Sequence, residues 1–245
     1  MRAENPSWSG WDVAALAVIT VVAIVGCVLA TAYVVHARFS PTTPWFESLK
    51  RPEVIVGGQL LAYVFIILLM YRMVSNQSDG EVLEAIRWNW PHNPKAYLLA
   101  GIALEFCLLP LAYLLPMPKN VPIDEFFRTA RDAYILSLFG ILFAPLFEEI
   151  FFRGFLYPVL ARRFGIYPSI FFTALAFGAI HASQLKYSWG PVLVIFLVGV
   201  ALTTVRALKK SVAATVLMHM AYNATIFLVT YIATDRFRHM ERFTQ

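Results

Sequence analysis

The stretch VAALAVITVVAIVGCVLATAYVV, residues 13–35, contains no charged side chain. A helix needs about 20 predominantly apolar residues to cross a hydrocarbon core roughly 30 Å thick. This stretch is long enough to do so. It is too long for the apolar centre of a cleaved signal peptide, which runs to about 7–15 residues, so it is expected to stay in the bilayer. Further apolar runs follow at 54–71, 96–116, 133–152, 168–181, 191–205 and 211–233. Lipid offers no hydrogen bonds to a bare backbone, so these runs are expected to be helices rather than strands. Pro52, Pro94, Pro168 and Pro191 lie at or near run starts, where the first amides lack intrahelical partners anyway. The run 168–181 is short for a span and is expected either to continue past His181 or to sit partly buried. The chain therefore reads as an all-α polytopic membrane bundle of about seven to eight transmembrane helices, a single domain over residues 1–245.

Composition agrees. Hydrophobic residues make up 59% of the chain and charged residues 14%, against about 25% charged in soluble domains. Mean hydropathy is +0.65. Most of the surface therefore cannot face water. Cys27 and Cys107 lie inside apolar runs with no Cys or His at metal-ligand spacing, so they are expected to be packing residues. The net charge of +5 suits loops that touch anionic headgroups. The basic residues are scattered and form no patch, which argues against a nucleic-acid partner.

Two polar connections stand out. Residues 75–94 hold Asp79, Glu81, Glu84, Arg87, Trp88 and Trp90 and read as an interfacial segment with indoles at headgroup depth. Residues 119–132 mix both signs of charge and are expected to form a short amphipathic helix leading into the next run. With seven spans, the basic loop residues divide almost evenly between the two sides, Arg206, Lys209 and Lys210 being counted on the amino-terminal side. The positive-inside rule then sets no orientation.

Charged residues inside spans cost at least about 2.5–3.5 kcal/mol each on insertion scales and are functional candidates by default. The fourth run carries Glu148, Glu149 and Arg153. Glu149 and Arg153 are four apart, acid before base, and so share a helical face on which they can pair. Glu148 points about 100° away and has no local partner. The fifth run ends on His181, one turn after Phe177. The last run holds His219 and Asn223, separated by about 6 Å along one face. Three helices can thus direct Glu148, His181, His219 and Asn223 into one buried, wet cavity. Taken singly, each has a plainer reading. A Glu–Arg pair can clasp helices, a histidine can sit at an interface, and an asparagine can bridge neighbouring helices.

In order, Glu148-Glu149-x-x-x-Arg153, Phe177-x-x-x-His181 and His219-x-x-x-Asn223 resemble the three motifs of the CAAX-protease and bacteriocin-processing (Abi) family of intramembrane endopeptidases, which includes type II CAAX prenyl endopeptidases. The resemblance covers roughly residues 130–230, with a catalytic core at about 130–233, and nothing specific is recognised in the first half. It implies an endopeptidase that hydrolyses membrane-associated peptides, either CAAX-type or leader and bacteriocin-type. By resemblance, Glu148 is the base that activates water and His181 helps hold that water. His219 and Asn223 then supply donors to the oxyanion, while Glu149 and Arg153 support them from behind.

A zinc version is the close alternative, with Glu148, His181 and His219 as ligands and a fourth position for water. Against it, the chain has no His-Glu-x-x-His helix, and Asn223 would be left without a task. The metal-free version is therefore preferred, with no cofactor. A non-proteolytic scaffold or immunity-type protein would keep the cavity without cleaving. A transporter is disfavoured because the polar residues crowd into one half instead of forming matched inverted halves. Glu105 is expected to be a packing or pore residue; His36, His92 and His239 lie near span ends and need no special role. The partners expected are the bilayer and a peptide or lipidated protein. A bacterial plasma membrane is the expected location, from the compact chain without a targeting segment. The tail 242–245 carries no cysteine and so is no lipidation signal itself.

Overall fold

The computed structural model of the chain describes residues 4–76, 81–116, 118, 122 and 126–239, and among these it is helical with no strand. Six helices are long and apolar enough to cross a membrane: α1 (Gly10–Phe39), α2 (Pro52–Ser75), α4 (Pro94–Leu114), α5 (Ala130–Phe164), α7 (Trp189–Lys209) and α8 (Val212–Ala233). A short α3 (Val82–Ala85) lies between α2 and α4, and the shorter apolar α6 (Ile166–His181) between α5 and α7. The bundle expected from the apolar runs is therefore present, with six spans and one shorter helix.

Local chemistry sets the helix starts. Ser9 accepts from the Asp12 amide and receives the Asp12 carboxylate in return, closing a capping box at α1. Thr129 and Asp132 do the same for α5, satisfying two amides that a helix start leaves bare. Pro52 and Pro94 are the first residues of α2 and α4. The expected amphipathic helix before α5 falls partly on residues outside those described, and Asp79 and the tail 242–245 lie wholly outside them. Trp88 packs against the core while Trp90 is exposed, as an interfacial segment requires.

Neighbouring helices pack α1 on α2, α4 on α8 and α6 on α7. Small residues let two of these pairs touch backbone to backbone. A Cβ on Gly58 would sit 2.6 Å from the Val28 Cα, and one on Gly101 would collide with the Met218 carbonyl oxygen. Membrane helices, which lack a hydrophobic force between them, associate through such contacts. The main apolar cluster joins Trp8, Leu16, Ile66, Met70, Phe147, Phe155 and Phe177.

Helix α5 departs most from the sequence expectation. The run 133–152 is one part of a continuous helix ending at Phe164, with π-helical turns at Phe139–Phe143 and Ile150–Leu156. Each π turn stops two residues before a proline, Pro145 or Pro158. The Ala144 amide bonds the Phe139 carbonyl and the Tyr157 amide bonds that of Phe152, five residues back in each case. The next residue is the proline, which has no N–H to offer. The carbonyls of Gly140 and Arg153 are thus left without a backbone donor in either register. Side chains from other helices fill both gaps: Asn223 Nδ2 donates to the Gly140 carbonyl at 2.7 Å, and Arg206 Nε donates to the Arg153 carbonyl at 3.0 Å.

Helix α6 takes the second of the two courses expected for its run: it stops at His181 and sits partly buried, with Ser169, Thr173, Ala174, Phe177 and Gly178 inside. Its 16 residues reach about 24 Å, short of a full crossing, and Gly165 and the turn at 183–185 bound it. One expectation needs correction: Arg206 is not a loop charge. It is fully buried within α7 and pairs with Glu4 at 3.0 Å.

Candidate active site

The site assembles around the middle of α5, where the helix passes from one π turn to the next. Glu149 and Arg153 are both fully buried and pair at 2.7 Å. Burying either charge alone would cost several kcal/mol. Arg153 is held further by the Gly199 carbonyl at 3.1 Å and the Thr203 hydroxyl at 3.3 Å, both on α7. It also lies 4.6 Å from the centroid of the Phe177 ring. The same carboxylate oxygen of Glu149 that meets Arg153 also accepts from His219 Nδ1 at 2.9 Å. One acid thereby ties α5 to α8.

Glu148, one residue earlier, stands outside that clasp and is partly open, its side chain 16% exposed. Its two oxygens look at two imidazoles: His181 Nε2 lies 3.9 Å from Oε1 and His219 Nε2 lies 3.8 Å from Oε2. Both histidines are fixed from behind. His181 Nδ1–H donates to the Phe177 carbonyl at 2.8 Å, and His219 Nδ1–H donates to Glu149. A carbonyl and a carboxylate only accept, so the proton of each neutral ring belongs on Nδ1 and each Nε2 carries a lone pair. Phe177 packs its ring against both, at 4.9 Å from His181 and 5.7 Å from His219.

The consequence is electrostatic. Two lone-pair nitrogens and a carboxylate converge with no hydrogen among them. Such a cluster is stable when a donor enters it or when one imidazole is protonated. A water molecule supplies two hydrogens and so suits the gap between an imidazole nitrogen and a carboxylate oxygen.

A zinc ion would also satisfy three lone pairs. Ligands about 2.0–2.2 Å from a tetrahedral zinc stand roughly 3.3–3.6 Å apart, closer than the 3.8 and 3.9 Å found here. Among the described residues, no group of three or more His, Cys, Asp or Glu is arranged to hold a metal ion. The donor chemistry suits zinc, but the spacing as it stands does not.

The structure brings Glu148, Glu149, Arg153, Phe177, His181 and His219 together. Asn223 lies one turn beyond His219, partly buried, with its amide on the Gly140 carbonyl; one amide hydrogen remains for another acceptor. Glu105 on α4 is buried and faces the Tyr222 hydroxyl, a packing contact between α4 and α8. Sequence reading missed Arg206, Thr203 and Tyr63. Arg206 was visible as a charge at the edge of an apolar run, and Thr203 as a small residue four after Gly199. Tyr63 stacks face to face on Phe147 at 3.9 Å, beside Glu148, and nothing in the first half of the chain marked it.

No curated protein and no solved structure matches the chain. Residues 130–225, which carry all three motifs, match the family model described as type II CAAX prenyl endopeptidase Rce1-like. The matched region, from the start of α5 into α8 just past Asn223, is similar to that family.

Proposed function

We propose that the chain is an intramembrane endopeptidase that uses a glutamate-activated water. The observation carrying this reading is the convergence of Glu148 Oε1 and Oε2 with two Nε2 atoms whose Nδ1 protons are committed elsewhere. A water between Glu148 and His181 is oriented by two acceptors and lies beside a base. Glu148 takes its proton as the hydroxide attacks the peptide carbonyl, and returns that proton to the amine as the C–N bond breaks.

The developing oxyanion needs donors already in place. His219 supplies one from Nε2 in its imidazolium form, whose charge is stabilised by Glu149 on the opposite nitrogen, as the buried aspartate does in a serine-protease triad. The remaining amide hydrogen of Asn223 is the second. The substrates proposed are membrane-associated peptides of the CAAX or leader and bacteriocin type, presented at a bacterial plasma membrane.

The test is cleavage of a quenched fluorescent set of CAAX-type and leader peptides by the detergent-purified chain. Wild type is compared with Glu148→Gln, each with and without a zinc chelator. Cleavage by wild type that the substitution abolishes and chelation leaves intact supports the reading. Loss on chelation with recovery on adding zinc moves the mechanism to a metal. Equal activity in the two proteins removes Glu148 from the chemistry.

A further inference from the structure

Arg206 belongs to none of the three motifs, yet its side chain is wholly buried. Its Nε–H donates to the Arg153 carbonyl at 3.0 Å, Nη1 meets Glu4 Oε1 at 3.0 Å, and Nη2 meets Oε2 at 3.5 Å. Its guanidinium carbon lies 5.3 Å from the centre of the Tyr157 ring. A planar guanidinium with five donors can serve a carbonyl and a carboxylate at once, which the point charge of a lysine does poorly. The carbonyl it serves is the one that the second π turn and Pro158 leave bare.

From there a run of contacts leads inward. The Arg153 backbone is held by Arg206, the Arg153 side chain by Glu149, Glu149 by His219, and His219 faces Glu148. Outward, Arg206 is compensated by Glu4, which lies in the segment before α1. Other parts of that segment are anchored independently. Arg162 donates to the Pro6 and Trp8 carbonyls, and Trp8 donates to the Phe155 carbonyl at 3.0 Å while stacking on the Phe155 ring. Of these contacts, the one at Glu4 leads to the Arg153 carbonyl that Pro158 leaves bare, while Trp8 holds the Phe155 carbonyl of the same turn.

We infer that Glu4 and Arg206 form a latch through which the amino-terminal segment fixes the Arg153 backbone and, through Arg153 and Glu149, the set of His219. Both are positioning residues for the reaction proposed above, and the inference rests on that assignment of the site. Without Glu4, Arg206 is an uncompensated buried cation; without Arg206, the Arg153 carbonyl is a buried acceptor with no donor. Either change relaxes the second π turn and with it the imidazole that faces Glu148.

The experiment uses the full chain in detergent as wild type, Glu4→Gln, Arg206→Met, Arg206→Lys and Arg162→Gln. Each is treated with diethyl pyrocarbonate, and modification is followed histidine by histidine by mass spectrometry, with exposed His92 as the internal reference. The same proteins are assayed for kcat and KM on a CAAX-type peptide that wild type cleaves, and their Tm is recorded. The latch predicts that Glu4→Gln and Arg206→Met raise His219 modification by about tenfold and lower kcat by a similar factor, with KM within about twofold. Arg206→Lys is intermediate. Arg162→Gln, which removes the contacts to the Pro6 and Trp8 carbonyls without touching Glu4, Arg206 or the π turn, lowers Tm but leaves His219 protection and kcat unchanged. Unchanged His219 protection in Glu4→Gln and Arg206→Met overturns the latch, as does an equal response in Arg162→Gln. If wild type cleaves no peptide but His219 responds as predicted, the proposed reaction fails and the latch stands.

Discussion

Glu148 and Glu149 are neighbours in sequence with opposite duties, and the difference lies in what each carboxylate touches. Glu149 is sealed, with Arg153 at 2.7 Å and His219 at 2.9 Å on one oxygen. Glu148 is partly open and faces two lone-pair nitrogens nearly 4 Å away. Glu149→Gln leaves Arg153 buried beside a neutral amide and removes the acceptor that fixes the His219 tautomer. Breaking one side of a buried pair typically costs about 3–5 kcal/mol, so this variant should show a sharply lowered Tm and no activity. Glu148→Gln removes a charge that no buried cation needs. It should keep the wild-type Tm, or exceed it, while losing roughly 10²–10⁴ in kcat, the usual contribution of a positioned base. Thermal unfolding and cleavage assays on both variants check the contrast; a Glu148→Gln protein that unfolds early would show that its carboxylate is structural. Part of this was legible in the sequence. The Glu149–Arg153 clasp follows from a four-residue spacing. The Glu149–His219 bond joins positions 70 apart, and no local periodicity carries that information.

At the scale of single elements, the apolar runs identify the helices because lipid tolerates no other backbone there, and Pro52 and Pro94 mark two starts. The π turns of α5 were not legible as such, although their cause was. Pro145 and Pro158 stand in plain view inside an apolar stretch, but whether a helix kinks, breaks or widens at a proline depends on what fills the carbonyl it abandons. Here Asn223 and Arg206 fill those carbonyls, and both come from distant helices. This makes a testable cycle. Asn223→Ala leaves the Gly140 carbonyl buried and bare, an expected loss of about 1–3 kcal/mol. Pro145→Ala restores the missing amide and lets α5 tighten into ordinary α-helical register, so the Gly140 carbonyl regains a backbone donor. Its Tm should hold or rise, while kcat falls because Glu148 turns on its axis. The double variant should be more stable than the sum of the singles, since the need for Asn223 disappears with Pro145. Strict additivity in thermal unfolding would separate Asn223 from the π turn. The α4–α8 contact offers a second check. Gly101→Ala drives a methyl into the Met218 carbonyl, next to His219, and overpacking of this kind costs about 1–3 kcal/mol. Reduced Tm and reduced cleavage together are expected. A variant with wild-type values of both would mean that the two helices can part without disturbing the site.

Across the whole molecule, the loop contacts sort the connections into two groups. Arg162 reaches Pro6, Arg206 reaches Glu4, Asn89 donates to the Lys210 carbonyl, and the Ser211 hydroxyl donates to that of Asn89. The amino-terminal segment, the 81–93 connection, the α5–α6 turn and the α7–α8 turn therefore share one face. On the other, Arg131 approaches Glu53 at 3.9 Å and Tyr134 packs edge-on to Phe237. This is the alternation that six long helices and the shorter α6 produce if all seven count as passes. The sidedness was not readable from charge: the basic loop residues divide almost evenly, and Arg206, counted as a loop cation, is a buried one. Thiol labelling can test it in sealed proteoliposomes of a chain carrying Cys27→Ala and Cys107→Ser. Cysteines placed singly by Arg163→Cys and Lys209→Cys should react together with an impermeant maleimide, in the same fraction of vesicles. Those placed by Lys50→Cys and Arg236→Cys should react in the complementary fraction. All four positions are solvent-exposed, so a failure to label cannot be put down to burial. If Arg163 and Arg236 report the same side, the stretch from α6 to α8 crosses an even number of times. Helix α6 then enters and leaves by one face, placing His181 at the tip of a re-entrant helix rather than along a crossing one.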